Sequence, residues 1–195
     1  MSGTATISWI GNTAASTTYA KWNSIDKDAD IVLSGSDLVA SNVNGNNGMV
    51  RSNIGKSSGK WYWEITITAI DNSSWGIGIA NSSATLAWYP GQDTNGWAYW
   101  MGVNPDEKLT NDVLSGYGSG NAATGNIVSV LLNMDAGEVS FRLQNTDVGV
   151  AFTGLTGTIY AAVGNNNALF TATANFGASP FTYTVPAGYN SGLYN

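Results

Sequence analysis

Carboxylates are the first place to look for chemistry in this chain, because it contains no histidine and no cysteine. Without imidazole there is no Ser-His-Asp relay, and the commonest metal ligand is missing. Without thiols there is no thiolate zinc site and no disulfide frame. The densest acidic run is Asp26-Lys27-Asp28-Ala29-Asp30. Its alternate spacing matches the opening of a calcium loop, but Ile31 stands where that loop needs glycine and Asp37 where it needs glutamate. The run therefore reads as a solvated turn ahead of a strand. Glycoside hydrolysis would require two carboxyl groups ~5 to 9.5 Å apart across a cleft. Glu64, Asp93, Asp106 and Glu107 are available, and no spacing in the sequence pairs them. The expectation is a protein with no catalytic residues, no metal and no cofactor, a carboxylate glycosidase being a remote alternative.

Aromatic side chains give the stronger lead. Trp88 and Tyr89 sit in a Pro-Gly loop, with Trp75 and Trp97 at neighbouring strand ends. Together they could form a platform whose rings offer flat apolar area to a sugar face or a side chain. Asn72, Gln92, Asp93 and Asn95 would bond to the edge of such a ligand. The competing reading makes Trp88 a loop anchor that plugs the end of the fold. Trp61, Trp63, Phe141, Phe152 and Phe176 occupy core-facing strand positions instead. Asn165-Asn166-Asn167 reads as a bare loop tip.

The elements that must hold these residues are strands. In Lys60-Trp61-Tyr62-Trp63-Glu64-Ile65-Thr66-Ile67-Thr68-Ala69-Ile70, period two puts Trp61, Trp63, Ile65, Ile67 and Ala69 on one side. Tyr62, Glu64, Thr66 and Thr68 fall on the other, a separation that a helix would scatter. This is predicted to be the central strand. Short strands separated by turn clusters surround it: Ile31 to Leu33 with Leu38 to Ala40 at hairpin spacing, a short one at Met49 to Ser52, and a turn from Gly55 to Gly59. Trp75 to Ala80 alternates Gly with Ile, and Gly76 and Gly78 leave room for a neighbouring bulky ring. Residues 81–96 read as irregular and 102–126 as loop-rich. Ile127 to Met134 turns through Asp135-Ala136-Gly137 into Glu138 to Leu143, with Gly137 suited to the left-handed position of a three-residue loop. Asp147 to Phe152, Ile159 to Val163 and Leu169 to Phe176 complete the set. No segment reads as a helix. Many short strands predict an all-β fold, a two-sheet antiparallel sandwich. Residues 1–20 are expected to be an N-terminal arm or edge strand plus linker, and 21–195 the sandwich.

Composition narrows the class of partner. In 195 residues, 7 basic against 13 acidic side chains give a net charge of −6, a surface that repels phosphates, so no nucleic acid is expected. Only 10% of residues are charged, and Asn, Ser, Thr and Gly must supply solubility. No apolar run reaches the ~18 residues of a membrane span, so no membrane insertion is expected. Met1-Ser2-Gly3-Thr4 does not open a secretory signal, so export would go by lysis or as part of a particle.

With the strands placed, the chain resembles a SPRY domain. The matching pieces run in order from Trp22-Asn23 and Leu33-Ser34 through Gly59-Lys60-Trp61-Tyr62-Trp63-Glu64 to Gly76-Ile77-Gly78-Ile79-Ala80. They continue through residues 127–137, Val139-Ser140-Phe141, Gly149-Val150-Ala151-Phe152 and Tyr160-Ala161-Ala162-Val163, and end at Ala174-Asn175-Phe176-Gly177, Pro180-Phe181 and Pro186-Ala187-Gly188-Tyr189. Two departures concern turns: Gln144-Asn145 stands where the family often has Asn-Gly, and Tyr160-Ala161 where it often has Tyr-Pro. The resemblance implies a bent, concanavalin-like β-sandwich that binds through loops at one end and has no catalysis of its own. The low-charge, Asn/Thr-rich style and the closing residues 186–195 are similar to SPRY domains of bacteriophage structural proteins. That similarity implies a virion-surface protein, namely a decoration protein, head fibre or tail-fibre tip assembled in the host cytoplasm. Its expected partners are host-surface glycan or protein, other virion proteins through residues 1–20, and further copies of itself as a homo-oligomer. The alternative is an intracellular SPRY-type adaptor gripping a short peptide.

Overall fold

In the computed structural model, which describes residues 16–71, 74–102, 106–118 and 120–195, the alternating stretch around Trp63 lies in the middle of one of two stacked sheets. In chain order the strands begin with β1 (Trp22–Lys27), β2 (Ile31–Ser34), β3 (Val39–Asn42), β4 (Gly48–Lys56) and β5 (Lys60–Ile70). β6 (Trp75–Ala80), β7 (Gly96–Met101), β8 (Glu107–Thr110), β9 (Val113–Gly116) and β10 (Ile127–Asn133) follow. β11 (Glu138–Leu143), β12 (Thr146–Phe152), β13 (Ile159–Asn165), β14 (Phe170–Asn175) and the short β15 (Asn190–Ser191) complete the chain. One sheet runs β1-β4-β13-β6-β7-β8-β9 and the other β12-β11-β10-β5-β14-β3-β2, with β15 also on β5. The pairs are antiparallel except β15 on β5, and no described residue is helical. The expected all-β, two-sheet sandwich is the fold observed.

Its core is the layer between the inner faces. Trp63, Ile65 and Ile67 of β5 join Trp22, Val50, Trp75, Ile77, Tyr99 and Val163 of the facing sheet in one buried cluster. Each of the aliphatic side chains among them contributes about 1.5–3 kcal/mol on burial. Trp22 meets Phe176 edge-to-face at 5.1 Å, joining the first strand to the end of β14.

Three expectations about β5 are revised. First, the alternation does not run its full length: β14 pairs Thr171 with Ala69 but Ala172 with Ile67, so Thr68 is an extra residue. A bulge of this kind reverses the sides beyond it. Ala69 is therefore exposed, and Ile70 packs against the core. Second, the polar side of β5, which a half-buried strand would leave open, is covered at Tyr62 and Glu64. Residues beyond β14 fold back over that side, and Tyr62 and Glu64 are 1% and 3% exposed. Third, Trp61 is only partly buried at the edge of the core, where Tyr194 packs edge-on at 5.4 Å and the Lys56 ammonium lies 4.0 Å from its ring centre.

Other differences are local. Gly55 belongs to β4 rather than to the turn that follows. The stretch 102–126 contains β8 and β9, joined by Asn111-Asp112. Both turn residues adopt left-handed φ (51° and 56°), which Asn and Asp tolerate better than most. Gln144-Asn145 adopts the same conformation (48° and 62°) between paired Leu143 and Thr146, so the missing glycine leaves the hairpin intact. Gly137 has the expected left-handed φ of 67°, but Asn133 pairs with Glu138, making the loop four residues long. Residues 1–15 of the expected arm lie outside the described residues. At its described end, Tyr19 bridges to Tyr194 and Ala20 N–H donates to the Leu193 carbonyl at 2.7 Å.

Candidate recognition surface

The connection 81–95 between β6 and β7 is built to lie across the outer face of the seven-stranded sheet. The glycines of β6 let neighbouring groups lie close against the sheet beneath it. A Cβ on Gly76 would lie 2.9 Å from the Trp100 ring, and one on Gly78 would lie 2.1 Å from the Trp97 carbonyl oxygen. The predicted ring at Gly76 is thus an outer-face indole, whereas Gly78 makes room for backbone. Ala84 and Leu86 of the connection pack on Met49, Ala80 and Ala162, and Met49 N–H donates to the Leu86 carbonyl at 2.9 Å. Further along, Tyr89 packs with Ala98, Trp100 and Leu109, its ring 4.9 Å from that of Trp100.

Polar contacts fix the ends of the connection. Arg51 is buried and donates through Nε and Nη2 to both carboxylate oxygens of Asp26, each at 2.8 Å. Its Nη1 donates to the carbonyls of Asn81 (2.6 Å) and Ala84 (3.0 Å). One fork-shaped cation therefore ties β1, β4 and the connection together. Asn81 also bonds to Asn95 through backbone and side chain, and Asp93 Oδ1 accepts the Asn95 N–H at 2.7 Å. The Tyr89 hydroxyl donates to Asp112 Oδ1 at 2.9 Å. Burial pushes the Tyr89 phenol up to about 12, and the Asp112 carboxylate adds to the shift. The phenol thus stays a neutral donor near neutral pH.

On this base Trp88 stands 44% exposed, edge-on to Tyr89 with ring centres 6.4 Å apart. Beside it runs a groove of about 130 Å³ lined by Tyr89, Trp100, Leu109 and Leu114, with Asp112 and Asn166 on its rim.

Of the residues expected at a ligand platform, Trp88, Tyr89, Gln92, Asp93 and Asn95 do share this connection. Trp75 does not belong to it: it is fully buried, stacked on Phe170 at 5.1 Å with an 11° interplanar angle. Trp97 lies against the core cluster, on the face of β7 opposite Trp100. Strand alternation forces that split, since Trp97 and Trp100 are an odd number of residues apart. Asn72 lies outside the described residues. The anchor of the loop is Tyr89 rather than Trp88. Trp100, Leu109, Leu114 and Asp112 were not singled out from sequence, although glycine at position 76 was the available sign that a ring lay over that spot.

A second, larger recess of about 250 Å³ opens at one end of the sandwich among Val43, Ile70, Leu169 and Phe170. Polar loops border it: Asn44 and Asn46 side chains donate to the Asp30 carboxylate at 2.9 and 3.1 Å. The acidic run that resembled a calcium loop is divided among separate partners, Asp26 holding Arg51 and Asp28 Oδ1 accepting the Asp30 N–H at 2.9 Å. The candidate hydrolytic carboxylates are likewise apart. Glu64 lies on the outer side of the eight-stranded sheet, accepting N–H groups of Thr182 and Tyr183, whereas Asp93 lies over the outer side of the other sheet. A core layer ~10 Å thick separates the two faces. Asp106 is buried and takes the Tyr99 hydroxyl (2.8 Å) and the Ala122 N–H (2.7 Å). Among the described residues no helix is long and apolar enough to cross a membrane.

Comparison with known proteins agrees with this architecture. The SPRY domain of human HERC1 superposes with a TM-score of 0.68 at 13% identity, covering 78% of this chain and 96% of that one. The TRIM65 PSpry domain gives 0.65 at 12% identity, covering 81% and 92%. Stonustoxin gives 0.62 at 16% identity, covering 81% and 27%. In sequence, Ran-binding protein 9 of Xenopus tropicalis is 26% identical over 128 residues, 65% of this chain, and the match spans only 23% of that relative's length. The Xenopus laevis protein of the same name matches to the same extent. The family model of the SPRY domain matches residues 60–178, from the start of β5 to just past β14. The chain belongs to the SPRY domain family.

Proposed function

We propose that this SPRY domain is a non-catalytic recognition module that binds a protein partner through Trp88 and the groove beside it. The observation that carries this reading is an indole 44% exposed on a connection whose base is tied down by Arg51. A large ring held rigidly in water costs little conformational entropy when it is buried by a partner, which is what an interface hot spot requires. The groove's volume of about 130 Å³ suits one apolar side chain, and Asp112 and Asn166 offer polar contacts at its rim. The relatives' name, Ran-binding, supports a protein over a glycan as ligand. For the setting, we propose a virion surface, where the domain would hold a host-surface protein or glycan. The support is compositional: 10% charged residues and a net charge of −6.

The test is selection of a random-peptide library on the full chain, with nuclear magnetic resonance mapping of the enriched peptide. Shifts are expected at residues 86–100 and 109–114. Trp88→Ala should weaken binding by roughly 30-fold, an interface loss of about 2 kcal/mol, and leave thermal stability unchanged. Mapping to another surface, or unchanged affinity in the variant, would refute the site. Glycan arrays, whole bacterial cells and purified particles that all fail to retain the domain would refute the virion setting while leaving the site standing.

A further inference from the structure

We propose that β9 is an acceptor edge for the N-terminal segment of a second copy of this chain, with residues 4–10 adding as an extra strand to the seven-stranded sheet. The outermost strands of the two sheets are not alike. β1 carries a register shift and the charged Asp26 and Lys27. β2 is uncharged and in unbroken register with β3, but its start is taken, the Ile31 carbonyl accepting Lys27 Nζ at 2.7 Å and the Ile31 N–H donating to the Asp28 carbonyl at 3.3 Å. β12 has register shifts, and its carbonyls at Gly149 and Ala151 accept Tyr117 Oη (2.7 Å) and Lys108 Nζ (2.6 Å). Bulges and charged side chains of this kind are how natural sheets blunt their edges.

β9 has none of these devices. Val113-Leu114-Ser115-Gly116 is uncharged, proline-free and in unbroken register with β8, and all four residues are exposed. Val113 and Leu114 are 59% and 44% exposed, and no described strand lies on their outer side. The two-residue turn Asn111-Asp112 makes Thr110 and Val113 the closing pair, which exchanges both backbone bonds. By alternation, the N–H and C=O of Leu114 and Gly116 then point outward. These are the groups that an incoming strand would take.

The occupant is selected by sequence, charge and reach. Thr4-Ala5-Thr6-Ile7-Ser8-Trp9 alternates polar with apolar residues, and with Ile10 the stretch is long enough to cover β9. Residues 1–20 contain no charged side chain, so the pairing itself adds no like-charge contact between chains of net charge −6. Within one molecule the reach fails. Residues 16–20 lead into β1, and the seven-strand order places β1 and β9 at opposite edges, ~29 Å apart across the sheet. Residues 11–18, fully extended, span ~26–29 Å with no slack to pass over the connection that carries Trp88. The β9 edge within reach is a neighbour's.

The experiment measures mass by light scattering over a concentration series for the full chain, a chain lacking residues 1–15, and Leu114→Pro. Proline on an outer strand removes the outward donor and leaves the β8 pairing intact. The full chain is expected at an integral multiple of the protomer mass, with both variants monomeric and folded by circular dichroism. A synthetic peptide of residues 1–15 should bind the shortened protein and lose at least tenfold in affinity when Leu114→Pro is also present. If the proline variant does not fold, Val113→Lys, at a side chain already in water, gives the same reading through charge. A full chain that is monomeric throughout, or an assembly that survives both the deletion and the β9 substitution, overturns the proposal. Trp88→Ala should leave the assembly intact, which separates this inference from the partner-binding reading.

Discussion

Glu64 gives the sharpest test of how the closing segment is held. Its Oε1 accepts the Tyr62 hydroxyl and the Tyr183 N–H, each at 2.8 Å, and Oε2 accepts the Thr182 N–H at 2.9 Å. Glu64→Gln keeps size and removes charge, but it turns an amide NH₂ toward at least one of those donors, so one bond is lost and two donors face each other. Bonds to a charged group contribute about 1.5–3 kcal/mol each, and an unsatisfied buried donor costs about 1–3 kcal/mol. Thr182 is exposed and Tyr183 half-buried, so their amides regain water when the segment lifts, which lowers the expected loss to about 2–3 kcal/mol. Glu64→Ala removes all three acceptances and should cost about 3–5 kcal/mol. Urea denaturation measures the loss, and hydrogen exchange locates it. Protection should fall at residues 181–194 and at β15 before β5 itself is affected. A Gln variant within 0.5 kcal/mol of the parent, or one whose exchange is unchanged there, would refute the reasoning, because the carboxylate would then not be the clamp.

Three further outcomes follow from the geometry. Gly78→Ala should unfold the domain or lower its midpoint far more than Gly76→Ala, since the new Cβ meets a backbone oxygen at 2.1 Å in one case and a displaceable ring edge at 2.9 Å in the other; thermal melts of the two variants decide it. Arg51→Met leaves Asp26 without its guanidinium and the Ala84 carbonyl without its donor, while the Asn81 carbonyl keeps only the long 3.4 Å bond from Ala84 N–H, so a loss of about 3 kcal/mol is expected, with faster hydrogen exchange confined first to residues 81–89. Burial holds the Asp106 carboxyl above its ordinary range despite the Tyr99 and Ala122 bonds, so the folded state binds its proton more tightly than the unfolded state does. Asp106 therefore adds stability as pH falls through its folded pKa and withholds it at neutral pH. Asp106→Asn, which keeps the Oδ acceptor, should be neutral or stabilising at pH 7 and lose that advantage below about pH 4, as read from urea midpoints at the two pH values.

Much of the scaffold was legible in the chain because burial imposes a period. Trp63, Ile65 and Ile67 had to share a side, and the largely apolar β10 and its partner β11 had to form a hairpin around Gly137, whatever lay above them. The absence of histidine and cysteine likewise limited the chemistry before any contact was known. What the tertiary structure alone decided were the events that period cannot encode. One extra residue at Thr68 turned Ala69 outward, and residues 180–194 returned to bury Tyr62 and Glu64 on a side that read as solvent-facing. A distant strand paired with the ring of Trp75 a phenylalanine 95 positions away, removing it from the platform, while Trp100 rose through the gap at Gly76 to support Tyr89. Local pattern fixes which way a side chain leaves its own strand; only the packing of remote segments determines whether it meets water, backbone or another ring.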